Sequence, residues 1–172
     1  TWIDSSGASR HGTNSGTFIK TNVSGYGALK PVYAVQGTTS SSITFPSGAL
    51  DSQFTVCSIS RYTGGQNGRV INSSGGNWGH GHIDGARGQI YYNKYTVNNG
   101  NLGNMIDWVV VCANSNGATP NNALIDGVPV GSLTSGTGSG SIGINVNASQ
   151  TKSNFAVSFI MIWNVALTNT EL

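Results

Sequence analysis

The sequence predicts an all-β protein, folded as an antiparallel β-sandwich or jelly roll. Short apolar runs of strand length alternate along the chain with clusters of glycine, asparagine, serine and proline, which are typical of turns. No run keeps the apolar period of a helix, apart from a terminal turn at residues 167–172, where Thr168 and Glu171 have the spacing of a capping box. At 172 residues the chain suits one domain with an ordinary core, so we predict a single domain over residues 1–172.

The strands are predicted from local composition. Phe54-Thr-Val-Cys57-Ser-Ile-Ser-Arg-Tyr62 and Asp107-Trp-Val-Val-Val-Cys112 are the clearest, and residues 155–163 form a third such run. The full set of predicted strands covers residues 17–21, 28–35, 42–45, 54–62, 69–72, 79–83, 88–92, 94–97, 107–113, 122–125, 128–130, 141–144 and 155–163. Asp126-Gly127, between two short apolar runs, is the strongest hairpin signal, because both residues tolerate the positive φ that a tight hairpin turn requires.

Cys57 and Cys112 lie at the same depth of two predicted strands, which favours a cross-strand or cross-sheet disulfide. Such a bond closes a loop of about 55 residues and stabilises the fold by about 4 kcal/mol through loop-closure entropy. The alternative is a pair of buried free thiols, as in proteins of reducing compartments. We favour the disulfide, and with it an extracellular or surface-exposed location.

Composition limits the classes of partner. Charged residues make up 8% of the chain, and the scattered Lys and Arg residues give a formal net charge of +2. Without a basic run, nucleic acid is not a predicted partner. The longest apolar stretch, residues 159–163, is strand-sized, so membrane insertion is not predicted, and no cofactor is indicated. The chain begins at Thr1 instead of Met, which indicates a processed protein or a domain excised from a larger one.

Several segments follow one another in a specific order: Phe54-Thr-Val-Cys57, Asp107-Trp-Val-Val-Val-Cys112, Leu124-Ile-Asp-Gly-Val-Pro-Val130, Ser141-Ile-Gly143 and Met161-Ile-Trp163-Asn-Val-Ala-Leu167. In this order they resemble the concanavalin A-like jelly rolls of the laminin G-like and pentraxin group, and the start at Trp2-Ile-Asp4 is similar to the opening of laminin G-like domains. The resemblance implies a disulfide at Cys57 and Cys112, the positions that match the pentraxin disulfide. It implies little about function, because the fold hosts lectins, adhesion modules, hydrolases and lyases.

The sequence lacks acidic residues that some of these relatives use to bind calcium or to cleave glycans, which limits the functions we predict for it. The pentraxin calcium loop matches residues 145–154, which contain no Asp or Glu, so calcium binding is not carried over. Laminarinase-like hydrolases need two carboxylates across the scissile bond. The six acidic residues here are scattered, with Glu171 the only glutamate. We therefore predict a protein that is not an enzyme. The alternative is an alginate-lyase-like enzyme that uses Arg87, His80 or His82, and Tyr91 or Tyr92. Such lyases use an Arg, Gln, His and Tyr set, of which Gln89-Ile90-Tyr91 is only a fragment.

The richest functional stretch is residues 77–95, since a sugar site combines an aromatic platform with amide, carboxylate and guanidinium partners. The predicted ligand-binding residues are Asn77, Trp78, His80, His82, Asp84, Arg87 and Tyr92. The alternative places Trp78 and Tyr91 in the core, where Trp108 and Trp163 are also expected.

The same stretch raises the question of a metal. On an extended strand His80, His82 and Asp84 would share one face, as zinc ligands could. The favoured alternative is that the histidines are neutral and hydrogen-bonded, so no metal site is predicted.

These observations favour a lectin-like, carbohydrate-binding or adhesion module, secreted or surface-displayed, as in a cell-surface or viral attachment protein. Its expected partner is a glycan or glycoprotein surface. The alternatives are the polysaccharide lyase and a structural or assembly domain that forms a homo-oligomer. The last follows because a sheet face with so few charges could bury itself against a copy.

Overall fold

The computed structural model describes residues 1–97, 102–115, 122–130, 136–138, 140–147, 150–168 and 170–172, with the backbone alone at 95–96. No helix occurs in these ranges, and the all-β prediction is confirmed. The strands are β1 (Thr13–Ser15), β2 (Phe18–Gly25), β3 (Ala28–Gly37), β4 (Ser42–Thr44), β5 (Phe54–Tyr62), β6 (Ile71–Asn72), β7 (Trp78–Ile83), β8 (Ala86–Tyr92), β9 (Tyr95–Val97), β10 (Val109–Ser115), β11 (Ala123–Ile125), β12 (Val128–Val130), β13 (Gly143–Ile144) and β14 (Phe155–Trp163). Every predicted strand is present, and β1 is the one that the sequence did not indicate.

The strands form two antiparallel sheets, which confirms the predicted sandwich. Sheet I has the order β1-β4-β13-β6-β7-β8-β9, and sheet II has the order β12-β11-β10-β5-β14-β3-β2. The core between them includes Phe54 and Val56 from β5 and Trp78, Ile90 and Tyr92 from sheet I. No helix of the described residues is long and apolar enough to cross a membrane.

One inward-facing row of sheet I explains where the β7 side chains lie. The cross-strand registers place Ile43, Ile144, Ile71, His80, Ile90 and Val97 side by side across six strands. Positions two apart on a strand share its face, so Trp78 and His82 face the same way as His80. The inward face of β7 is therefore aromatic, while its outward face carries Gly79 and Ile83.

Tight turns with positive φ close three hairpins. Asp126-Gly127 has φ of 51° and 78° between β11 and β12, so the predicted hairpin is confirmed. Asp84-Gly85 and Tyr26-Gly27 form the same kind of turn in the β7–β8 and β2–β3 hairpins. At the C-terminus the carboxylate of Glu171 accepts a hydrogen bond from the Thr168 N–H at 2.8 Å, as in a capping box, but the described residues there form a turn and no helix.

The predicted disulfide is present and joins neighbouring strands of one sheet. Cys57 of β5 lies directly opposite Cys112 of β10, with the Cα atoms 4.0 Å apart. The bond is therefore cross-strand, and the alternative of two free thiols is wrong. Because Val56 faces the core, Cys57 faces the outer side of sheet II.

The β2–β3 hairpin covers part of that outer side. β3 pairs with β14 along Phe155 to Val157, after which the register of β14 shifts at a bulge. Beyond it the hairpin crosses the sheet, and the carbonyl of Tyr26 at its tip accepts a hydrogen bond from the Trp108 N–H at 2.9 Å. Trp108 is buried in this outer cluster, whereas Trp163 is only half-buried, so the expectation of a core position is wrong for Trp163.

Candidate functional site

The rings of the predicted site lie inside the molecule. Trp78, His80, His82 and Tyr92 are each 0% exposed, because the inward face of the β7–β8 hairpin carries all four. The prediction that these rings contact a glycan is therefore wrong for this structure. The alternative that Trp78 is a core residue is the one observed.

The two histidines belong to a buried hydrogen-bond network. His80 Nε2 donates to the Val111 carbonyl at 3.3 Å, so Nδ1 of the neutral ring accepts from the Tyr92 hydroxyl at 2.7 Å. His82 Nδ1 lies 3.1 Å from the Ser60 hydroxyl. Burial lowers the pKa of His80 to about 4 and that of His82 to about 3. Both rings are therefore neutral at physiological pH and belong to the core.

The predicted face of metal ligands is not formed. His80 and His82 point between the sheets, whereas Asp84 lies on the β7–β8 turn with its side chain 51% exposed. The prediction that the three share one face is wrong, because the turn takes Asp84 out of the strand alternation. No group of three or more potential metal ligands occurs in the described ranges. Of the loop compared with the pentraxin calcium site, residues 148–149 lie outside these ranges.

Arg87 is buried and connects the two sheets. Its Nη2 lies 2.7 Å from an Asp126 carboxylate oxygen, and Nη1 donates to the Leu102 carbonyl at 2.6 Å. Nη2 also donates to the Trp108 carbonyl. The prediction that Arg87 binds a ligand is wrong for the same reason as for the rings. Of the residues named for the alternative lyase, Arg87, both histidines and Tyr92 are buried, and Tyr91 is half-buried.

Asn77 and Asp84 are the two predicted site residues at the surface. Arg69 connects them, since its Nη1 donates to the Asn77 side-chain oxygen at 2.5 Å and its Nε lies 3.7 Å from an Asp84 carboxylate oxygen. The Arg69 guanidinium also lies 5.2 Å from the ring centre of half-buried Tyr91. Gly79 permits this arrangement, since a Cβ there would lie 3.2 Å from Arg69 Cδ and 2.9 Å from a side-chain carbon of Ile83. We call Arg69, Asn77, Asp84 and Tyr91 the Arg69 surface.

A groove elsewhere in the molecule presents the exposed ring and polar groups that the inward face of the β7–β8 hairpin does not. It has a volume of ≈ 390 Å³ and lies where the N-terminal segment meets the β2–β3 hairpin. Its lining is formed by Thr1, Trp2, Ile3, Asn14, Lys20, Thr21, Tyr33, Ala34, Val35, Ile43 and Ser158. We call it the Trp2–Tyr33 groove.

The groove combines rings with hydrogen-bonding groups. Tyr33 is 75% exposed, and Trp2 is half-buried against Phe45, with the ring centres 6.4 Å apart. Asn14 and Lys20 are exposed and supply an amide and an ammonium group. This is the mixture of an aromatic platform and polar partners that a sugar requires.

The N-terminal wall of the groove is held by a carboxylate. Asp4 accepts hydrogen bonds from the N–H groups of Ser6 and Arg10, each at 2.8 Å. A hydrogen bond from the Ser6 hydroxyl, together with these two backbone bonds, lowers the pKa of Asp4 to about 2. The Asp4 hydrogen bonds hold residues 4–10 in a turn. Next to this turn, the Trp2 N–H donates to the Gly12 carbonyl at 3.1 Å, and the Gly12 N–H donates to the Trp2 carbonyl at 2.8 Å.

Tyr33 is absent from the predicted binding residues, although the sequence carries a signal for it. On β2 and β3, Lys20 and Asn22 share the face of Tyr33, while Val23 and Val32 face the protein. A tyrosine on the polar face of an amphipathic hairpin is a candidate for a surface role. For Trp2 the sequence indicates only a similarity to the opening of laminin G-like domains.

The fold and the groove define a β-sandwich domain with a ligand-sized cleft. No protein-family model matches the sequence, and no curated protein matches it. Among solved structures, it is similar to domain 4 of AbnA, a GH43 extracellular arabinanase from Geobacillus stearothermophilus, in complex with arabinotriose. The TM-score is 0.67 at 17% identity, over 94% of this chain and 85% of that chain.

Binding domains of botulinum neurotoxins are also similar. That of neurotoxin DC, in complex with SialylT, has a TM-score of 0.64 at 14% identity, and that of serotype C1 has 0.65 at 12%. Each match covers 97% of this chain but only 46% and 47% of the neurotoxin domains, so the chain spans less than half of them. At these identities the similarity shows the fold alone. It supports a jelly-roll-like sandwich, and the narrower assignment to the laminin G-like and pentraxin group stays a prediction.

Proposed function

We propose that the protein is a non-catalytic glycan-binding module whose ligand lies in the Trp2–Tyr33 groove. The observation that carries the proposal is the exposed Tyr33 ring in a groove that also presents Trp2, Asn14 and Lys20. A pyranose or furanose face can stack on the phenol ring, while the amide and ammonium groups bind hydroxyls. The neighbouring structures, one with arabinotriose and one with SialylT, are consistent with this use of the fold.

The placement of the carboxylates supports a role without catalysis. Glycoside hydrolysis needs a protonated acid with a raised pKa opposite a second carboxylate. Here hydrogen bonds lower the pKa of Asp4 and of Glu171. Asp126 is paired with Arg87, and Asp84 lies beside Arg69. These carboxylates therefore serve the local structure of turns and ion pairs.

The disulfide supports an extracellular or surface location, because such bonds persist in oxidising compartments. Secretion, adhesion and attachment to a glycoprotein surface follow from that location as parts of the same proposal. The Arg69 surface, which contains Asn77 and Asp84 from the sequence prediction, is the second candidate binding surface.

A glycan array with matched variants tests the proposal. Tyr33→Ala should reduce binding severalfold to about tenfold, since a stacked aromatic ring contributes about 0.5–1.5 kcal/mol beyond its buried area. Leu29→Ala is the control, because Leu29 is a fully exposed residue of the same strand. Thermal unfolding should be unchanged in both variants.

Two outcomes would contradict this proposal. Absence of binding by the wild-type protein to any neutral, sialylated or uronate glycan would contradict the function. Binding that survives Tyr33→Ala but is lost in Asp84→Ala would move the site to the Arg69 surface. An Asp51→Ala variant, which alters an exposed carboxylate elsewhere, controls for the change in charge.

A further inference from the structure

One edge of β14 is paired for only part of its length. On one side, β14 pairs with β5 from Phe155 to Trp163, with a register shift after Val157. On the other side, β3 pairs only with Phe155, Ala156 and Val157 and then leaves to cross the sheet. In the described part of the chain, no strand pairs with this side of residues 159–163.

The disulfide position shows which backbone groups face the open edge. Cys57 and Cys112 have the short Cα spacing of a non-hydrogen-bonded pair, 4.0 Å. The N–H and C=O of Cys57 therefore point away from β10 and toward Met161, its partner on β14. Because these directions alternate along a strand, the N–H and C=O of Ile160 and Ile162 point away from β5, toward the open edge.

A second groove follows this edge. It has a volume of ≈ 520 Å³, and one wall is formed by all six consecutive residues from Ser158 to Trp163. Consecutive residues of a strand face opposite sides, so a groove that touches all six runs along the strand edge. The opposite wall consists of residues 2–6 with Arg10, and Phe45 and Ala49 lie on the side of the core.

We propose that this edge binds an extended peptide segment of a partner protein as an added antiparallel strand. The segment would pair with β14 beyond Val157, where β3 no longer does, and would continue the row of backbone hydrogen bonds that begins at Phe155. Residues opposite Ile160 and Ile162 would exchange N–H and C=O hydrogen bonds with them. An unpaired strand edge fits an extended chain because that chain alone presents matching donors and acceptors at the same spacing.

The groove also indicates the side chains of the segment. Those opposite Ile160 and Ile162 face Phe45 and Ala49 and should be apolar, while the alternate side chains face the N-terminal wall. Two charged side chains line that wall: Arg10, which forms no ion pair within the described ranges, and Asp4, whose oxygens accept hydrogen bonds from the backbone N–H groups of Ser6 and Arg10. An acidic residue at the alternate position beside Arg10 would complement the charge of that side chain. The expected ligand therefore has apolar residues at alternate positions and an acidic residue beside Arg10.

A second copy of this chain is a poorer occupant. Its own β14 is bounded by the same N-terminal wall of residues 2–6, which would meet the wall of the first copy. A single strand without a sheet behind it enters such a groove more easily. Light scattering at several protein concentrations separates the two cases, and a concentration-dependent dimer that protects the Ile160 amide would overturn the peptide proposal.

Amide hydrogen exchange by NMR tests the edge without any mutation. In the free protein the amides of Ile160 and Ile162 should exchange at least tenfold faster than those of Phe159 and Met161, which point toward β5. Equal protection of all four amides would show that the edge is already paired and would overturn the proposal.

The probe for binding is the peptide Ac-Lys-Val-Glu-Val-Glu-Val-Lys-NH2. It should slow exchange at Ile160 and Ile162 and shift their resonances with a Kd in the micromolar to millimolar range. Methylation of the valine amides should abolish binding, because those amides face β14. Methylation of the glutamate amides is the matched control and should leave binding intact.

Arg10→Gln should weaken binding severalfold and reduce its salt dependence. Absence of any shift at millimolar peptide, or equal effects of the two methylated peptides, would overturn the proposal.

Discussion

At the scale of single residues, the buried histidines make the protein sensitive to acid. His80 and His82 are neutral in the folded state because burial lowers their pKa values to about 4 and about 3, below the ordinary value of 6.5. In the unfolded chain both rings take up protons as the pH falls through about 6.5. The unfolded state then binds more protons than the folded state, so stability is present at neutral pH and decreases on acidification.

We therefore expect the free energy of unfolding to fall by a few kcal/mol between about pH 7 and pH 4.5, a window above the pKa of Asp4. Urea unfolding at several pH values measures this change. His11→Gln is the control, because it alters an exposed histidine and should keep the steep dependence. A flat pH profile of the wild-type protein in this window would contradict the burial argument.

Arg87 stabilises the contact between the sheets at the residue scale. Arg87→Ala should lower the free energy of unfolding by about 2–3 kcal/mol, because two backbone carbonyls lose their donor. The Asp126 carboxylate is 41% exposed, so its lost ion pair adds little. Arg87→Lys should be intermediate, since an ammonium group cannot reproduce the planar fork. A loss below about 0.5 kcal/mol in urea unfolding would contradict this role.

At the scale of elements, the β5–β10 pair is held by its disulfide. The double variant Cys57→Ser with Cys112→Ser should lose about 3–4 kcal/mol of unfolding free energy, because the loop of 55 residues is no longer closed in the unfolded state. Wild-type protein unfolded in the presence of a reductant should match the variant. Equal stability of the oxidised protein and the variant would show that the bond does not constrain the unfolded chain.

Element by element, local patterns predicted strands better than the relations between them. The strands 54–62 and 155–163 are confirmed at the predicted ends, since each is a long apolar run bounded by turn residues. The crossing of the β2–β3 hairpin over sheet II was not predicted, because it depends on where β14 shifts register. No local pattern near Tyr26 indicates that its carbonyl meets Trp108.

At the scale of the molecule, two grooves flank the N-terminal segment and share Trp2, Ile3 and Ser158. They form where sheet I ends at β1 and β4 and β3 leaves β14. The candidate site, the Trp2–Tyr33 groove, therefore lies at an edge between the sheets, far in sequence from the hairpin of residues 77–95.

The apolar residues Val110, Phe159 and Met161 are exposed on sheet II, so the predicted homo-oligomer stays a prediction that light scattering tests.

The amino-acid sequence by itself determined the all-β class and every strand but β1, because strand alternation and turn chemistry are local properties, and it favoured the disulfide over two free thiols. Only the tertiary structure decided which face of the β7–β8 hairpin is inside. Alternation places Trp78, His80 and His82 on a common face, but that face is identified only when sheet II covers it. The same packing left Tyr33 exposed and one edge of β14 open, since both depend on contacts between segments distant in sequence.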